Sequence, residues 1–441
     1  MPPMPPLPPM TFALQSACAW PLALTVAVAL TLLASMAAAR ADDSAPARVT
    51  LYSQALLYGG ATTLEESDFN PANALARIPR HQGDAELRLD LGAAKGDCNA
   101  AARLRARYQR AGHAEAHALL INQGGVRCRA GGGALEISAG REVLQWGSAF
   151  FLSPSNPFFI DTGRTNPIQE LVGKDMLQAL WFPSQQLTVS LIRKLRHSAR
   201  EQDTDPQAVS LAPVSALRMD WVGDNASGGA IVSRRDDGVR RLGLYGTLPW
   251  SRALVLYAEL NAGRGSAGWY PVPDSDGASV RMERSQLHGG ELLHTVLAGA
   301  AYTLESGWTV NAEWISGNEG YGHAERAAYR QAVASAARAF PQPASLQVLG
   351  AALAPNLPYL GANYLFLQLM RSEWQDKGDV ALRWTRSFGA GEGTLLSGSF
   401  TWYLNNHSQL FLVASRNRGG ARSDFGRLVR SSVQTGLRFT F

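Results

Sequence analysis

Several features that mark other protein classes are scarce or absent in this sequence. Charged residues make up only 17% of the chain, which argues against a long disordered tail or a coiled coil. The net charge is only +5 and no run of five basic residues occurs, so we expect no nucleic-acid partner. Beyond residue 41 no stretch reaches the roughly eighteen consecutive apolar residues of a membrane-spanning helix.

The start of the chain differs from the rest. A proline-rich segment and an apolar stretch lead to Ala39-Arg40-Ala41, the small-residue pattern that a signal peptidase cleaves. We therefore predict that residues 1–41 are a signal peptide and that residues 42–441 are exported. No Lys or Arg precedes Arg40, so a retained N-terminal membrane anchor is the alternative.

Apolar and polar residues alternate along many segments of the exported part. Leu217, Met219 and Trp221, for example, alternate with Arg218 and Asp220. A period of two indicates β-strands with one apolar and one polar face. Many runs have nine to twelve residues, close to the ~9–11 that a tilted strand needs to cross a bilayer, whereas soluble strands usually have about five or six.

We therefore predict an all-β fold, a transmembrane antiparallel up-and-down β-barrel of about 18 strands, within a range of 16–18. Most links after even-numbered strands are short, whereas the longest segments follow odd-numbered strands. Outer-membrane barrels have this arrangement of short periplasmic turns and long external loops, which a soluble sandwich does not require. The predicted strands are 49–58, 84–92, 101–109, 113–122, 133–146, 175–183, 186–194, 214–223, 228–235, 239–249, 252–263, 290–304, 307–316, 361–372, 377–388, 393–404, 408–416 and 428–441.

The last predicted strand carries a more specific pattern. Val433, Leu437 and Phe439 lie on the same face as the terminal Phe441. This ending resembles the C-terminal assembly signal of bacterial outer-membrane proteins. The resemblance implies that Phe439 and Phe441 bind the barrel-assembly machinery. It also implies a location in the outer membrane of a Gram-negative bacterium, in contact with outer-membrane lipid and lipopolysaccharide.

A second resemblance covers about 20 residues. Gly140-Arg141-Glu142 and Trp146-Gly147, followed by Asn156-Pro157, resemble the Gly-Arg-Gln…Trp-Gly segment and following Asn-Pro of several porin-like and export-channel families. Glu142 stands where those families have Gln. The alternative is a strand end at which the glycines turn the chain inward, with Trp146 as an aromatic residue at the membrane interface.

The predicted barrel encloses water, because barrels of 16–18 strands form a channel rather than a packed core. Since lipid requires an apolar outer face, the charged face of each strand should line the lumen. This rule places inside eight residues of each sign, which give no clear ion preference, and also His117. The charged residues are Arg88, Arg103, Arg105, Arg107, Arg218, Arg241, Arg383, Arg438, Glu86, Asp90, Glu115, Glu136, Asp220, Glu259, Glu313 and Asp379.

A constriction of this lumen is predicted from the third long loop, 147–174. In general porins the loop after the fifth strand folds into the lumen opposite a basic row. By that resemblance, we predict that Asp161 and Glu170 of this loop face Arg103, Arg105 and Arg107 of the third strand. A surface loop above a lumen with internally paired charges is the alternative. The charged residues of the loop are Asp161, Arg164, Glu170 and Lys174.

Two further features concern the turns and loops. Cys98 and Cys128 fall in the turns after the second and fourth predicted strands, so both lie at the periplasmic end. An oxidising compartment would allow them to form a disulfide. In the loop 317–360, helical spacing predicts one helix from His323 to Phe340. Its arginines could contact lipopolysaccharide phosphates, although a solvated helix is the more common outcome.

Signals for catalysis are poor. The letters GxGxxG occur at 263–268, but no helix pattern follows them to bind a dinucleotide. His113, Glu115 and His117 share one face of the fourth predicted strand, yet the sequence offers no fourth metal ligand. No GxSxG or HExxH motif occurs. We therefore expect no enzyme activity, no cofactor and no metal site.

The function that these observations favour is a porin-like channel for passive diffusion of small polar or charged solutes. Its selectivity would be set by the width of the lumen and its electrostatic field. Two alternatives stay open. One is an export channel for a polysaccharide or lipid-linked product, and the other is a structural or surface-binding barrel with a closed lumen. The sequence leaves the oligomeric state open.

Overall fold

The fold is that of a computed structural model, which describes residues 48–112, 114–166, 168–195, 212–275, 279–284, 290–389 and 391–441. The predicted signal peptide, residues 1–41, lies outside the described residues. Within the described ranges, no helix has both the length and the apolar composition that crossing a membrane requires.

Eighteen antiparallel strands form a closed barrel. Each strand pairs with its neighbours along the chain, and the first strand pairs with both the second and the last. The prediction of an antiparallel up-and-down barrel of about 18 strands is confirmed, and every predicted strand overlaps an observed one. The barrel strands are β1 (Arg48–Leu64), β2 (His81–Lys95), β3 (Cys98–Ala111), β4 (Ala114–Ala130), β5 (Leu135–Glu142), β6 (Lys174–Trp181), β7 (Leu187–Lys194), β8 (Val214–Val222), β9 (Ser227–Arg235), β10 (Arg240–Pro249), β11 (Leu254–Arg264), β14 (Leu293–Thr303), β15 (Thr309–Gly317), β16 (Asn363–Trp374), β17 (Gly378–Phe388), β18 (Gly393–Asn405), β19 (Ser408–Arg418) and β20 (Val429–Thr440).

The two ends of the barrel differ in their connections. At one end, which we call the turn end, the longest links are 182–186 and 304–308, with five residues each. The other end, the loop end, carries the long segments, including 143–173, 265–292 and 318–362. Both termini of the barrel lie at the turn end, because Thr440 pairs with Gln54 and the Phe441 amide donates to the Ser53 carbonyl at 3.0 Å.

The loop end carries more regular structure than the sequence predicts. The segment 265–292 contains a hairpin of β12 (Trp269–Pro273) and β13 (Val280–Arg284). The predicted helix is α1 (His323–Arg338), and a second helix, α2 (Pro343–Leu353), follows it. The sequence predicts one helix ending at Phe340, with Pro343 beyond its end. In the structure it is the first residue of α2, where its missing N–H removes no helical hydrogen bond.

These elements pack into a small apolar cluster, which we call the cap. Tyr270 of β12, Tyr329 and Val333 of α1, and Leu349 of α2 are all buried in it, together with Phe69. An ion pair between Arg326 of α1 and Asp424 holds the cap to the barrel, and both side chains are buried. The cap therefore covers part of the loop end.

The faces of the strands follow the predicted alternation. On β8, Leu217 and Trp221 are 49% and 47% exposed, whereas the Arg218 side chain between them is only 19% exposed. The outward face of the barrel is thus apolar, and the polar residues point into the lumen. This arrangement places most of the predicted charged residues on the inner wall.

Candidate constriction in the lumen

The segment 143–173, which we call the crossing loop, runs from β5 into the lumen and back to β6. Its backbone N–H groups at Phe150 and Phe151 donate to the carboxylate of Glu313 on β15. Farther along, Ser153 and Ser155 donate to the carboxylate of Glu259 on β11, at 2.7 and 2.8 Å between oxygen atoms. The loop therefore reaches the wall opposite the strands that carry it.

The two wall carboxylates are anchors for this loop. Both residues point inward, as the alternation of their strands predicts, but the loop covers them, so that Glu259 is 2% exposed and Glu313 is 1% exposed. Glu313 also accepts a hydrogen bond from the Tyr257 hydroxyl at 2.8 Å. These carboxylates do not border open water. They satisfy backbone and hydroxyl donors that the loop would otherwise bury without partners.

Glu170, near the end of the crossing loop, meets the basic wall formed by β2 and β3. Its carboxylate lies 2.8 Å from Nε of Arg105 and 3.1 Å from Nη1 of Arg88. The side-chain amide of Asn122 donates to the same carboxylate at 2.9 Å. Burial alone would raise the pKa of Glu170, but the hydrogen bond from Arg105 and the two positive charges outweigh it and lower the pKa.

The other members of the basic row also have acidic partners. Arg103 lies 3.3 Å from Asp90, and Arg107 lies 2.7 Å from Asp84. Arg105 contacts Asp90 at 2.9 Å in addition to Glu170. The Arg103 and Arg107 side chains remain 47% and 36% exposed, respectively, so they still present positive charge to the lumen. Glu86, also on β2, pairs with Arg88 at 2.7 Å.

The remaining charged residues of the predicted loop lie elsewhere. The Asp161 side chain accepts a hydrogen bond from the Gly163 amide and lines a different cavity from the basic row. Arg164 donates to the carbonyls of Ser148 and Ala149 within the loop. Lys174 is the first residue of β6, and its ammonium group donates to the Phe158 carbonyl at 2.6 Å. The structure thus brings Glu170, but not Asp161, to the cavity lined by the basic row.

The crossing loop separates two cavities. One, of about 440 Å³, is lined by Arg88, Arg105, Arg107, Asn122 and Gln434 of the wall. The other, of about 110 Å³, is lined by Asp161, Lys174, Lys194 and Arg241, among others. Glu170 lines both cavities. Gln169 and Val172 line both cavities as well, but Glu170 is the charged residue among the three, which makes it the central residue of the candidate constriction.

Other predicted lumen residues support the loop from the wall. Arg218 lies over the Trp146 ring, with its guanidinium carbon 4.7 Å from the ring centroid, and pairs with Asp220 at 2.6 Å. Arg383 donates to Gln368 at 2.7 Å and to the Arg164 carbonyl at 3.5 Å. Because Trp146 packs inside the barrel, its alternative interpretation as an aromatic at the membrane interface is wrong.

Glu115 and His117 do not face the lumen. Arg103 pairs with Gln123, but Leu104 pairs with Ile121, so Asn122 is an extra residue on β4. This bulge reverses the alternation along the strand. As a result, Ala116 and Ala118 line the lumen, while Glu115 and His117 share the exposed outer face with Leu119.

Glu115 and His117 belong to the strand face on which the sequence offers no fourth metal ligand, and His113, the third residue of that face, lies outside the described residues. Among the residues that the structure describes, no group of three or more His, Cys, Asp or Glu side chains is arranged to hold a metal ion.

The two cysteines are joined by a disulfide. They occupy opposed positions on adjacent strands, Cys98 at the start of β3 and Cys128 near the end of β4, and not the turns themselves. The bond links two neighbouring strands at the turn end of the barrel. It lies away from the crossing loop and contributes no side chain to the constriction.

Sequence reasoning missed two residues of this site. Asp84, which pairs with Arg107, follows the same alternation as Glu86 and Asp90, so the signal was present at the edge of the predicted strand. Asn122 reaches Glu170 only because of the β4 bulge. Alternation alone gives no signal for a bulge.

Comparisons with known proteins support the fold. No protein-family model matches the sequence, and no curated protein gives a significant match. Among solved structures, OccK5 (OpdH) of Pseudomonas aeruginosa is similar with a TM-score of 0.54 and 9% identity, covering 89% of this chain and 98% of that chain. OprD of the same organism gives 0.52 and 11% identity over 91% and 99% of the two chains. The outer membrane protein opdK, also from P. aeruginosa, gives 0.51 and 9% identity over 89% and 99%. The chain therefore shares the barrel fold of these proteins along most of its length.

Proposed function

We propose that the chain is an outer-membrane channel through which small polar or charged solutes diffuse passively. The observation that carries this proposal is the position of Glu170, held by Arg88 and Arg105 where the two cavities meet. A loop that narrows a lumen while presenting charged groups restricts solutes by size and by charge. The fold shared with outer-membrane proteins of P. aeruginosa supports the same location.

In this proposal the loop end is external and the turn end is periplasmic. A solute enters past the cap and passes beside the ion pairs that join Glu170 to Arg88 and Arg105. The fixed charges of this cluster, including the exposed Arg103 and Arg107, produce a field along its path that orients dipolar solutes, and the loop restricts large ones. The channel uses no cofactor and catalyses no reaction.

The proposal also includes the route to the membrane. Residues 1–41 are removed as a signal peptide, and the barrel-assembly machinery recognises the strand that ends at Phe439 and Phe441. The folded barrel is then surrounded by outer-membrane lipid and lipopolysaccharide. Support for this step comes from the sequence pattern of the last strand and from its closure with β1.

One alternative has a structural observation in its favour. The cap of α1, α2 and the β12–β13 hairpin covers part of the loop end, as expected for a barrel that binds an external ligand with a closed lumen. Such a barrel would not pass ions. An export channel for a large product would instead need partner proteins and would admit no small sugars through the isolated barrel.

Planar-bilayer recording and liposome swelling test the proposal. We expect discrete conductance steps from the folded chain, and swelling of liposomes in small sugars. Arg105→Ala should change conductance or selectivity, because Arg105 holds Glu170. Arg110→Ala is the matched control, since Arg110 is exposed near the end of the same strand. Absence of conductance would contradict the channel, and an unchanged Arg105→Ala channel would contradict the constriction.

A further inference from the structure

Three arginines lie side by side on the outer surface of the barrel. Arg240 on β10 is paired in register with Arg234 on β9 and with Arg264 on β11. Directly opposed residues on adjacent strands share a face of the sheet. The three guanidinium groups therefore form one row across three strands at the loop end, which we call the arginine row.

The arginine row points away from the lumen. Val232 and Leu242, two residues from Arg234 and Arg240, are 51% and 40% exposed on the apolar outer face. Strand alternation places the arginines on that same face, and all three are exposed. In the part of the chain that the structure describes, no ion pair involves any of them. The carboxylate of nearby Asp236 is held by Arg193, at 2.9 and 3.0 Å.

The arginine row lies at the level, along the membrane normal, where the edge of the hydrocarbon layer is expected. Trp250, which is 69% exposed, marks the turn end of β10, and Arg240 lies ten residues before it. At ~3.3 Å per residue and a tilt of ~40°, this distance corresponds to about 25 Å along the membrane normal. The apolar band of an outer-membrane barrel has about that height. Arg240 therefore lies where the headgroups of one leaflet begin.

An open apolar groove of about 640 Å³ adjoins the arginine row. It runs over the outer surface of β7 to β11. Its surface is almost entirely apolar apart from the arginines, so it suits acyl chains, whereas the row above it suits anionic groups. The residues that form it include Leu191, Leu217, Leu242 and Leu292.

We propose that the arginine row and this groove bind lipid A, the diphosphorylated and multiply acylated glycolipid of lipopolysaccharide. The guanidinium groups bind its phosphates, since arginine forms paired hydrogen bonds with phosphate oxygens. The acyl chains lie along the leucines below. The inference rests on the proposed outer-membrane location, and charge complementarity together with the height of the row selects this ligand.

This site differs from the one that the sequence suggests. The predicted contact with lipopolysaccharide used the arginines of the helix that begins at His323. In the structure Arg326 of that helix is buried in the ion pair with Asp424, which holds the cap. Arg326 therefore cannot reach a lipid phosphate. Arg338 of the same helix is exposed, but it belongs to the cap, whereas the arginine row lies on the outer wall of the barrel at the membrane edge.

Native mass spectrometry of the folded, detergent-solubilised chain with added lipid A tests the proposal. We expect one tightly bound lipid A per barrel and about a hundredfold weaker binding after the combined change R234Q/R240Q/R264Q. The matched control is R48Q/R252Q/K377Q, which removes three exposed positive charges at the turn end and should bind as the wild type does. Dephosphorylated lipid A tests the wild-type chain without any substitution and should also bind weakly.

Three results would overturn the proposal. Lipid A would bind R234Q/R240Q/R264Q as tightly as the wild type, dephosphorylated lipid A would bind the wild type as tightly as lipid A does, or phosphatidylglycerol would compete for the site as well as lipid A itself. The lipid site and the channel can fail separately. Because the arginine row faces away from the lumen, R234Q/R240Q/R264Q should keep the wild-type conductance. A conducting barrel that does not bind lipid A refutes only this inference, and a lipid-binding barrel that does not conduct refutes only the proposed function.

Discussion

Replacement of Glu313 by Ala should weaken the attachment of the crossing loop to the wall. The wild-type carboxylate accepts hydrogen bonds from the amides of Phe150 and Phe151 and from the Tyr257 hydroxyl. Hydrogen bonds to charged groups contribute roughly 1.5–3 kcal/mol each, and water entering the vacated space recovers part of this. Only the Phe150 and Phe151 amides belong to the crossing loop, because Tyr257 lies on β11. With about 1 kcal/mol lost for each of these two bonds, the loop loses about 2 kcal/mol of its attachment.

That loss should increase the fraction of molecules in which the crossing loop is displaced from the wall by about thirtyfold. In planar bilayers we therefore expect brief states of high conductance to become about thirtyfold more frequent in E313A than in the wild type. Glu305→Ala is the matched control, because Glu305 is exposed in the turn between β14 and β15, far from the loop. If folded E313A showed high-conductance states no more often than E305A, Glu313 would not anchor the loop.

Further predictions concern charge, pH, the disulfide and the cap. Glu170→Gln removes the negative charge beside Arg88 and Arg105. It should raise the ratio of anion to cation permeability by roughly threefold to tenfold, which the reversal potential in a salt gradient measures. An unchanged ratio would contradict the role of Glu170. Because the pKa of Glu170 is lowered, its carboxylate stays charged as pH falls from 7 to about 5 and loses its charge only below its ordinary pKa. Wild-type selectivity should thus shift toward anions only in stronger acid, and E170Q should lack this shift. The double change C98S/C128S should lower the free energy of unfolding by about 3–4 kcal/mol, given a sequence separation of 30 residues; equal urea midpoints for the two proteins would argue against it. Arg326→Met leaves Asp424 buried without its partner, at a cost of about 3–5 kcal/mol, and should speed proteolysis of the cap relative to the exposed control Arg338→Met; equal cleavage rates would show that the pair does not hold the cap.

The barrel could be predicted from the sequence because lipid and water impose one rule on every strand. Leu217 and Arg218 are adjacent, and only a strand with lipid on one face and the water-filled lumen on the other accommodates both side chains. The same rule predicted correctly that the side chains of Glu259 and Glu313 point inward. It could not show that the crossing loop covers them, since that contact joins residues more than 100 positions apart.

The errors have a common physical origin. The bulge at Asn122 adds one residue to β4 and reverses the faces of Glu115 and His117, although nothing in the local pattern marks it. Asp161 and Glu170 both carry a carboxylate, and only the path of the loop decides which one reaches Arg105. Local alternation determines the wall of the barrel, whereas long-range packing determines its constriction.

Single cysteine substitutions at two adjacent positions on β20 test most directly whether the barrel separates lipid from a water-filled lumen. Val433 is 44% exposed on the outer face, and the neighbouring Gln434 lines the larger cavity. In folded protein reconstituted into vesicles, a charged, water-soluble thiol reagent should label Q434C but not V433C. A fluorophore attached at residue 433 before reconstitution should be quenched by brominated lipid, while one at residue 434 should not. Equal labelling of both cysteines, or the reverse pattern, would contradict the account.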